Sequence, residues 1–533
     1  MPKEAKKEVI IAQELAKKQR EISISEFFTK NRHLLGFDNP LRALLMTVKE
    51  AVDNSLDACN EAKILPDIHV ELKKITEERF KVIVEDNGPG IVKEQIPRIF
   101  AKLLYGSKFH RLRMSRGQQG IGISASVLYS QLSTGKASVI LSKIHPKKPA
   151  HYYELKIDTA KNEPLIVKDE IKDWSHKDHG TRIEIELDAK YQKGKQSVDE
   201  FLKQVAIVNP YVKITYITPE NEKIEFPRVT NELPIEAKEI MPHPYGLELG
   251  TLIRMLAETS ARSVQGLLTS EFSRIGSGTA KEMCEKAGLK PDQKPHSLTA
   301  EQAEKLFRSM QEVKVIAPPT DCLSPIGAEL LEKGLRKEIP ADFYVTTSRS
   351  PVVYRGFPFT IEVGIAYGGS LEKESQVKLM RFANRVPLLY QQGACAITEA
   401  VTGISWKPYG LNQSGSNIPT GPAAIVIHMA SVWVPFTSEA KDAIAHYDEI
   451  IKEIKLALQE CGRKLNAYIN KHVRAQEQRE KIDLFEKYIP ELANALSNLT
   501  SDKKEVLEEK LKKLLKKELP TLEAENGAKE QSK

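Results

Sequence analysis

Glu50, Asn54 and Asp57 recur at i, i+4 and i+7 in the stretch LRALLMTVKEAVDNSLDACNEA (41–62), opposite an apolar helical face of Leu41, Leu45, Val48, Val52, Leu56 and Cys59. Ala51, Ser55 and Ala58 beside them are small and leave room for a ligand. A glutamate there could activate a water, and an asparagine oxygen suits a hard cation such as Mg²⁺; a solvated polar face is the competing reading. In VIVEDNGPGI (82–91) a strand-like run ends at Asp86, followed by Gly88 and Gly90. A carboxylate at a strand end can accept a hydrogen bond from an exocyclic amine such as adenine's, although N-G-P-G is also ordinary turn chemistry. The stretch SRGQQGIGISAS (115–126) sets Gly117, Gly120 and Gly122 in a G-x-x-G-x-G order ahead of a helix-compatible run. Free N–H groups and the helix dipole favour an anion at such a place. The order is the reverse of the dinucleotide fingerprint, and no Lys-Ser or Lys-Thr follows as a P-loop requires. Two smaller features complete the set: YGSKF (105–109), with Ser107 beside Lys108, and HGTRIEIEL (179–187), with Thr181 in a Gly-Thr turn before a strand.

The elements that must hold these residues alternate in type. RFKVIVEDN, ASVILSKI, YYELKID, TRIEIEL and VKITYI have the β-branched richness or period-2 alternation of strands. A polar arm (1–35) precedes this mixed region (36–228). A proline-punctuated linker then opens an all-helical segment (229–306) of short helices broken by glycine. A second mixed region (307–470) contains strand-like FTIEVGIAYGG and AAIVIHMASVWV, and SEAKDAIAHYDEIIKEIKLALQECGRKLNAYINKHV reads as one long amphipathic helix. The tail (471–533) is charged and helical, with Leu507, Leu511, Leu514 and Leu515 on one stripe. No 20–50-residue period repeats, which excludes a solenoid.

Composition is that of a soluble protein of several domains: 533 residues, 41% hydrophobic and 28% charged, with 79 Lys and Arg against 72 Asp and Glu. The net charge of +7 is mild over this length and permits a nucleic-acid partner without requiring one. The five cysteines (Cys59, Cys284, Cys322, Cys395 and Cys461) are scattered, which argues against a zinc site or disulfide framework and fits a reducing cytoplasm. The start lacks the apolar core of a signal peptide, and the longest apolar run, PAAIVIHMASVWVPF, is too short for a membrane span. A cytoplasmic protein is expected.

Taken in order, E-x-x-x-N on a helix, D-x-G-x-G after a strand, G-x-x-G-x-G before a helix and G-T opening a strand resemble the GHKL ATPases, the superfamily of DNA gyrase, MutL, the large heat-shock chaperones and sensor histidine kinases. Beyond the superfamily, VKEAVDNSLDAC, LLYGSKFHRLRMSRGQQGIGIS, SEFSRIGSGTAKEMCEKAGL, RFANRVPLLYQQGACAI and VWVPFTSEAKDAIA resemble the B subunits of archaeal type IIB topoisomerases, the topoisomerase VI family, over nearly the whole chain to about residue 470. The resemblance implies an α+β fold: a GHKL ATPase domain of helices layered on a mixed sheet, a helix-two-turns-helix domain, an α/β transducer and a helical tail. It also implies ATP and Mg²⁺. Glu50 would be the general base and Asn54 the Mg²⁺ holder. Asp86 would read the adenine amine beside Gly88 and Gly90, Ser107 and Lys108 would contact phosphate, and Thr181 would support the adenine pocket through a water. Gly117, Gln118, Gln119, Gly120, Ile121, Gly122, Ile123 and Ser124 would form the lid over the β- and γ-phosphates. Lys441 would be the switch lysine that reaches the γ-phosphate from the transducer.

The same resemblance implies an ATP-dependent homodimer in which the N-terminal arm crosses to the partner. It implies work on double-stranded DNA with a separate, DNA-cleaving A subunit of topoisomerase VI, as an A2B2 heterotetramer. No D-x-D cluster for metal-dependent scission occurs in the chain, which agrees with cutting by a partner. Arg274, Lys281, Lys333, Arg336 and Lys337 are candidate DNA-phosphate contacts, each competing with an ordinary surface charge. Competing readings are a MutL-like or chaperone-like ATPase clamp, which would lack the helical insert, and a non-hydrolysing ATP-gated DNA-binding clamp, in which Glu50 would have little use. At the start of the long helix a lone lysine such as Lys441 is disfavoured by the dipole unless an anion compensates it.

Overall fold

The computed structural model describes residues 19, 21–106, 111–117, 120–438, 440–500 and 502–515. The chain divides into two compact units, residues 1–407 with 411–461, and residues 408–410 with 462–533.

The first unit opens with α1 (Ile24–Lys30) and α2 (Pro40–Glu61). Asn39 caps α2, its side chain accepting from the Arg42 N–H at 2.9 Å, and Pro40 fits the first turn because no helical N–H partner is needed there. The strands β1 (Asp67–Thr76) and β2 (Arg79–Glu85), α3 (Ile96–Ala101), α4 (Gly122–Thr134), β3 (Ser138–Lys143), β4 (Ala150–Asp158), β5 (Glu163–Lys172), β6 (Gly180–Asp188), α5 (Val198–Val208), β7 (Lys213–Ile217) and β8 (Lys223–Phe226) follow. They build an eight-stranded sheet in the order β5-β4-β3-β6-β2-β1-β7-β8. Within it only the β1–β7 pair is parallel. The apolar face of α2 (Leu45, Val48, Val52 and Leu56) is buried in one core with Ile68, Val82, Ile123 and Val127. Burying that face turns the polar row of α2 towards α4 and the end of β2, where the site lies.

Next come α6 (Leu249–Glu258), α7 (Val264–Glu271), α8 (Ser277–Lys286) and α9 (Ala300–Glu312), all helical as expected. They enclose a core of their own around Leu252, Leu267, Met283 and Leu306. The elements α10 (Ala328–Glu338), β9 (Phe343–Ser348), β10 (Val352–Tyr354), β11 (Phe357–Tyr367), β12 (Lys378–Ala383), β13 (Val386–Pro387), α11 (Ala396–Thr402) and β14 (Ala423–Ser431) form a second, six-stranded sheet in the order β10-β11-β14-β12-β13, with β9 on β11. The helix α12 (Asp448–Thr500) follows, and its residues to Cys461 belong to this unit. In the second unit, residues 462–500 of α12 are followed by helical residues 504–515, and Ile489, Ala493 and Leu507 are buried. Of the tail's leucine stripe, Leu507 is buried, Leu514 is exposed and Leu511 and Leu515 are half-buried.

All seven strands read from the sequence are present. Seven more (β1, β5, β8, β9, β10, β12 and β13) carry weaker signals: β5 is exposed on both faces and has no alternation to read, and β13 is two residues long. One expectation is corrected. The long helix begins at Asp448, ten residues after the expected Ser438, so Lys441 is not at a helix start. Residues 435–445 instead fold back on themselves: Phe436 bridges Ile444, Thr437 N–H donates to Ala443 O at 3.0 Å, and Ala445 N–H donates to Pro435 O at 2.7 Å. Lys441 has a left-handed φ of 56° inside that turn. The dipole argument for Lys441 therefore does not apply, and its own contacts decide its place.

Candidate functional site: a cavity between α2, β2 and α4

A cavity of about 600 Å³ opens between α2, the end of β2 and the start of α4. Glu50, Asn54, Asp86, Gly90, Gly117, Gly120, Ile121, Gly122, Ile123, Thr181 and Lys441 all line it. Leu35, Phe37, Met46, Ile91, Ile99, Phe100 and Tyr105 add apolar wall. Volume and lining suit one small-molecule ligand.

At one end lies Asp86, buried and held by three donors. Ser55 Oγ donates to its Oδ2 at 2.8 Å, while the N–H groups of Gly88 and Thr181 donate to its Oδ1 at 2.9 and 3.1 Å. Burial pushes the Asp86 carboxyl above its ordinary value, against the pull of these donors. Gly88 thus acts on the carboxylate and is not part of the cavity wall. Gly90 needs its missing side chain: at φ 73° a Cβ would lie 2.1 Å from Lys143 O. Thr181 Oγ1 lies 3.1 Å from Ser142 Oγ, whose hydroxyl also accepts from the Ile91 N–H at 2.8 Å.

At the other end Glu50 packs on the N-terminus of α4. A Cβ on Gly122 would fall 1.7 Å from Glu50 Oε2, so only glycine admits the carboxylate over this helix end. Gly120 has φ 57°, a left-handed conformation that suits glycine. Ile121 and Ile123 are buried against the core. Ser124 departs from the lid expectation: it is fully buried inside α4, and its hydroxyl donates to Ile121 O at 2.9 Å. Ser107, Lys108, Gln118 and Gln119 lie outside the described residues.

Lys441 is buried, and its Nζ donates to Arg116 O at 3.0 Å. Two contacts missed at the sequence level fix its loop to α2. Lys49 Nζ donates to Ala440 O at 3.2 Å, and Arg42 pairs with Asp442 while its guanidinium stacks 4.8 Å from the Tyr390 ring. Burial pushes the Lys49 ammonium down, and burial pushes the Asp53 carboxyl up to about 7, with Glu50 adding to the rise. Asp57, placed with Glu50 and Asn54 by spacing, turns away from this cavity. It is buried, with its Oδ1 2.9 Å from Arg116 Nη1. The only sequence signal for these groups is charge at positions where helical spacing demands burial.

Four of the five DNA-contact candidates, all but Arg274, are engaged with acids. Lys281 pairs with Glu285, Lys333 with Glu329, Arg336 with Glu332 and Lys337 with Glu338. All five cysteines are buried and none forms a disulfide. Among the described residues no helix is long and apolar enough to cross a membrane.

Comparison places this cavity in a class. The family profile for histidine kinase-, DNA gyrase B- and HSP90-like ATPases matches residues 40–191, which supply all of the cavity's lining except Leu35, Phe37 and Lys441. A second profile, the topoisomerase VI B subunit transducer, matches residues 318–481. The chain is 56% identical to the B subunit of type 2 DNA topoisomerase 6 from Methanococcoides burtonii, over 92% of this chain and 78% of that protein. To the protein of the same name from Archaeoglobus fulgidus it is 47% identical, over 90% and 80%. Among solved structures, the ATPase region of Saccharomyces cerevisiae topoisomerase II aligns at 13% identity and a TM-score of 0.41, over 85% of this chain and 100% of that one. The chain belongs to the family of type 2 DNA topoisomerase 6 B subunits.

Proposed function

We propose that this chain is the ATP-binding and ATP-hydrolysing component of a type IIB DNA topoisomerase, acting on double-stranded DNA with a separate, DNA-cleaving A subunit in an A2B2 assembly. The observation that carries the ATPase reading is the pairing of two carboxylates at opposite ends of one cavity: Asp86, buried and held by three donors, and Glu50, seated on the N-terminus of α4.

Asp86 accepts the adenine amine, with Gly90 and Thr181 shaping that end. The first N–H groups of α4, with Gly117 and Gly120, face the phosphates, where the positive end of the helix favours negative charge. Glu50 takes the proton of the water that attacks the terminal phosphorus, a role generally worth about 10²–10⁴-fold in rate. Asn54, exposed at the cavity, offers an amide oxygen. That oxygen would hold a Mg²⁺ accompanying the nucleotide, since hard cations take oxygen ligands. Bound there, Mg²⁺ offsets phosphate charge. Lys441 brings a positive charge from the second mixed region to the same cavity.

Nucleotide that orders the lid and engages Lys441 favours a closed arrangement in which two copies associate, because those contacts exist only in that state. The test is ATP turnover and binding by the full chain. Glu50→Ala should bind Mg–ATP as the parent does and lose turnover; hydrolysis at the parent rate would remove Glu50 from its role.

A further inference from the structure

The turn between β12 and β13 consists of Asn384 and Arg385, with φ of 49° and 66°. Two-residue hairpin turns with two positive φ values ordinarily use Asn-Gly, since a side chain at the second position is strained. An arginine there costs about 1–2 kcal/mol of backbone energy, so the surroundings must impose it.

The imposing groups are buried in the second sheet. Arg385 N–H donates to His428 Nε2 at 2.9 Å, which puts the imidazole proton on Nδ1, and Nδ1 donates to Glu362 Oε2 at 2.7 Å. Glu362 also accepts the N–H groups of Ile326 at 2.8 Å and Gly327 at 2.6 Å. Burial pushes the His428 pKa down and keeps the ring neutral. For Glu362 burial acts upward, but His428 and the two N–H donors outweigh it and hold the carboxylate ionised.

Asn384 reaches the residues just ahead of Gly117 directly, and Arg385 reaches them through Tyr211. Asn384 Nδ2 donates to Ser115 O at 3.0 Å. The Arg385 guanidinium donates to Tyr211 Oη at 3.3 Å, to Ser324 O at 3.1 Å and to Pro325 O at 3.0 Å. Tyr211 Oη also accepts from Arg116 Nη2 at 2.9 Å. Arg116 is further locked by Asp57 at 2.9 Å and Asn209 Oδ1 at 2.6 Å, and its carbonyl receives Lys441 Nζ. Met114 N–H donates to Cys322 O at 3.0 Å alongside. The stem of the glycine-rich segment is thus held from the second sheet at its backbone and through a buried arginine–tyrosine–arginine contact.

We propose that the Asn384–Arg385 turn is a positioning element that grips the stem of the nucleotide lid, residues 114–117, and so makes lid closure and the seating of Lys441 depend on the placement of the second sheet. The inference rests on the ATP site proposed above. A turn that merely stitched two layers together would not need strained side chains, one bonded to the stem backbone and the other sharing Tyr211 with the stem's Arg116. Neither residue lines the nucleotide cavity, so they act on turnover only through the stem.

Asn384→Gly and Arg385→Gly remove each side chain while suiting the left-handed backbone, so the turn itself is kept. Amide hydrogen exchange of the nucleotide-free full chain reads the grip; ATP turnover and binding of a fluorescent non-hydrolysable ATP analogue read its consequence. The expected result is exchange at least tenfold faster in residues 114–117 with β2 unchanged, together with kcat at least tenfold lower and analogue affinity within about threefold of the parent. Parent-rate exchange in the stem of both variants overturns the proposal, as does faster exchange with unchanged kcat. Exchange accelerated equally in β2 also overturns it, because the turn is then a plain determinant of the fold. A parent chain that binds no nucleotide contradicts the ATP site instead, and the exchange comparison still decides whether the turn grips the stem.

Discussion

Gly122→Ala separates binding from hydrolysis with a single methyl group. The new Cβ would lie 1.7 Å from Glu50 Oε2, 2.2 Å from Cδ and 2.8 Å from Cγ. An ordinary nonbonded separation is about 3.5 Å, so the carboxylate must retreat by roughly 1.8 Å, the difference between that figure and the shortest contact. Misplacing a reacting group by about 1 Å can cost on the order of 10²-fold, so kcat should fall by about 100-fold or more, close to 3 kcal/mol of barrier. The fold should tolerate the change. Alanine is favoured over glycine in a helix by about 0.5–1 kcal/mol, and an off-rotamer glutamate costs a similar amount, so Tm should move by only a few degrees. Phosphate release, binding of a fluorescent non-hydrolysable ATP analogue and a circular-dichroism melt on the full chain measure all three quantities. Adding Glu50→Ala to Gly122→Ala should cost no more than Glu50→Ala alone, because both act on one group. Turnover within twofold of the parent, or additive losses in the double variant, would refute the placement of Glu50 over the helix end.

Other substitutions discriminate among the remaining contacts. Gly90→Ala meets Lys143 O, a backbone atom that cannot swing aside, at 2.1 Å and φ 73°; unlike Gly122→Ala it should lower stability by at least about 1–3 kcal/mol in urea titration. Asp57→Ala leaves Arg116 buried without its carboxylate and should cost about 3–5 kcal/mol in the same titration. Asp53, raised to about 7 against an ordinary value of 3.8, holds its proton in the folded chain where the unfolded chain has lost it. Folded stability therefore falls as pH rises from about 4 to 7, and Asp53→Asn should remove that decline, gaining on the parent by at most about 1.4 kcal/mol per pH unit in denaturant titrations across that range.

How much of this was legible depended on whether spacing and chemistry pointed the same way. Helical periodicity over residues 41–62 both places Glu50 and Asn54 on one row and buries the opposite face, so helix and site were readable together. Asp86 was readable because a strand, an acid and two glycines stand within five residues. The grip on the lid stem was not, because Ser115, Tyr211, Arg385 and His428 are brought together from four distant parts of the chain. Asn384 and Arg385 carry no local sign of a left-handed turn, since the usual glycine is missing. The placement of Lys441 was misread for a related reason: SEAKDAIA has good helix formers, yet the backbone contacts between residues 435–437 and 443–445 and the ion pair of Asp442 with Arg42 outweigh local propensity.

Sedimentation velocity of the full chain, with Mg²⁺ and with or without a saturating non-hydrolysable ATP analogue, tests the ATP-operated gate most directly. A gate of this kind requires a shift from monomer to dimer that depends on the analogue and is lost in Asn54→Ala. The same sedimenting species with and without bound analogue would contradict it.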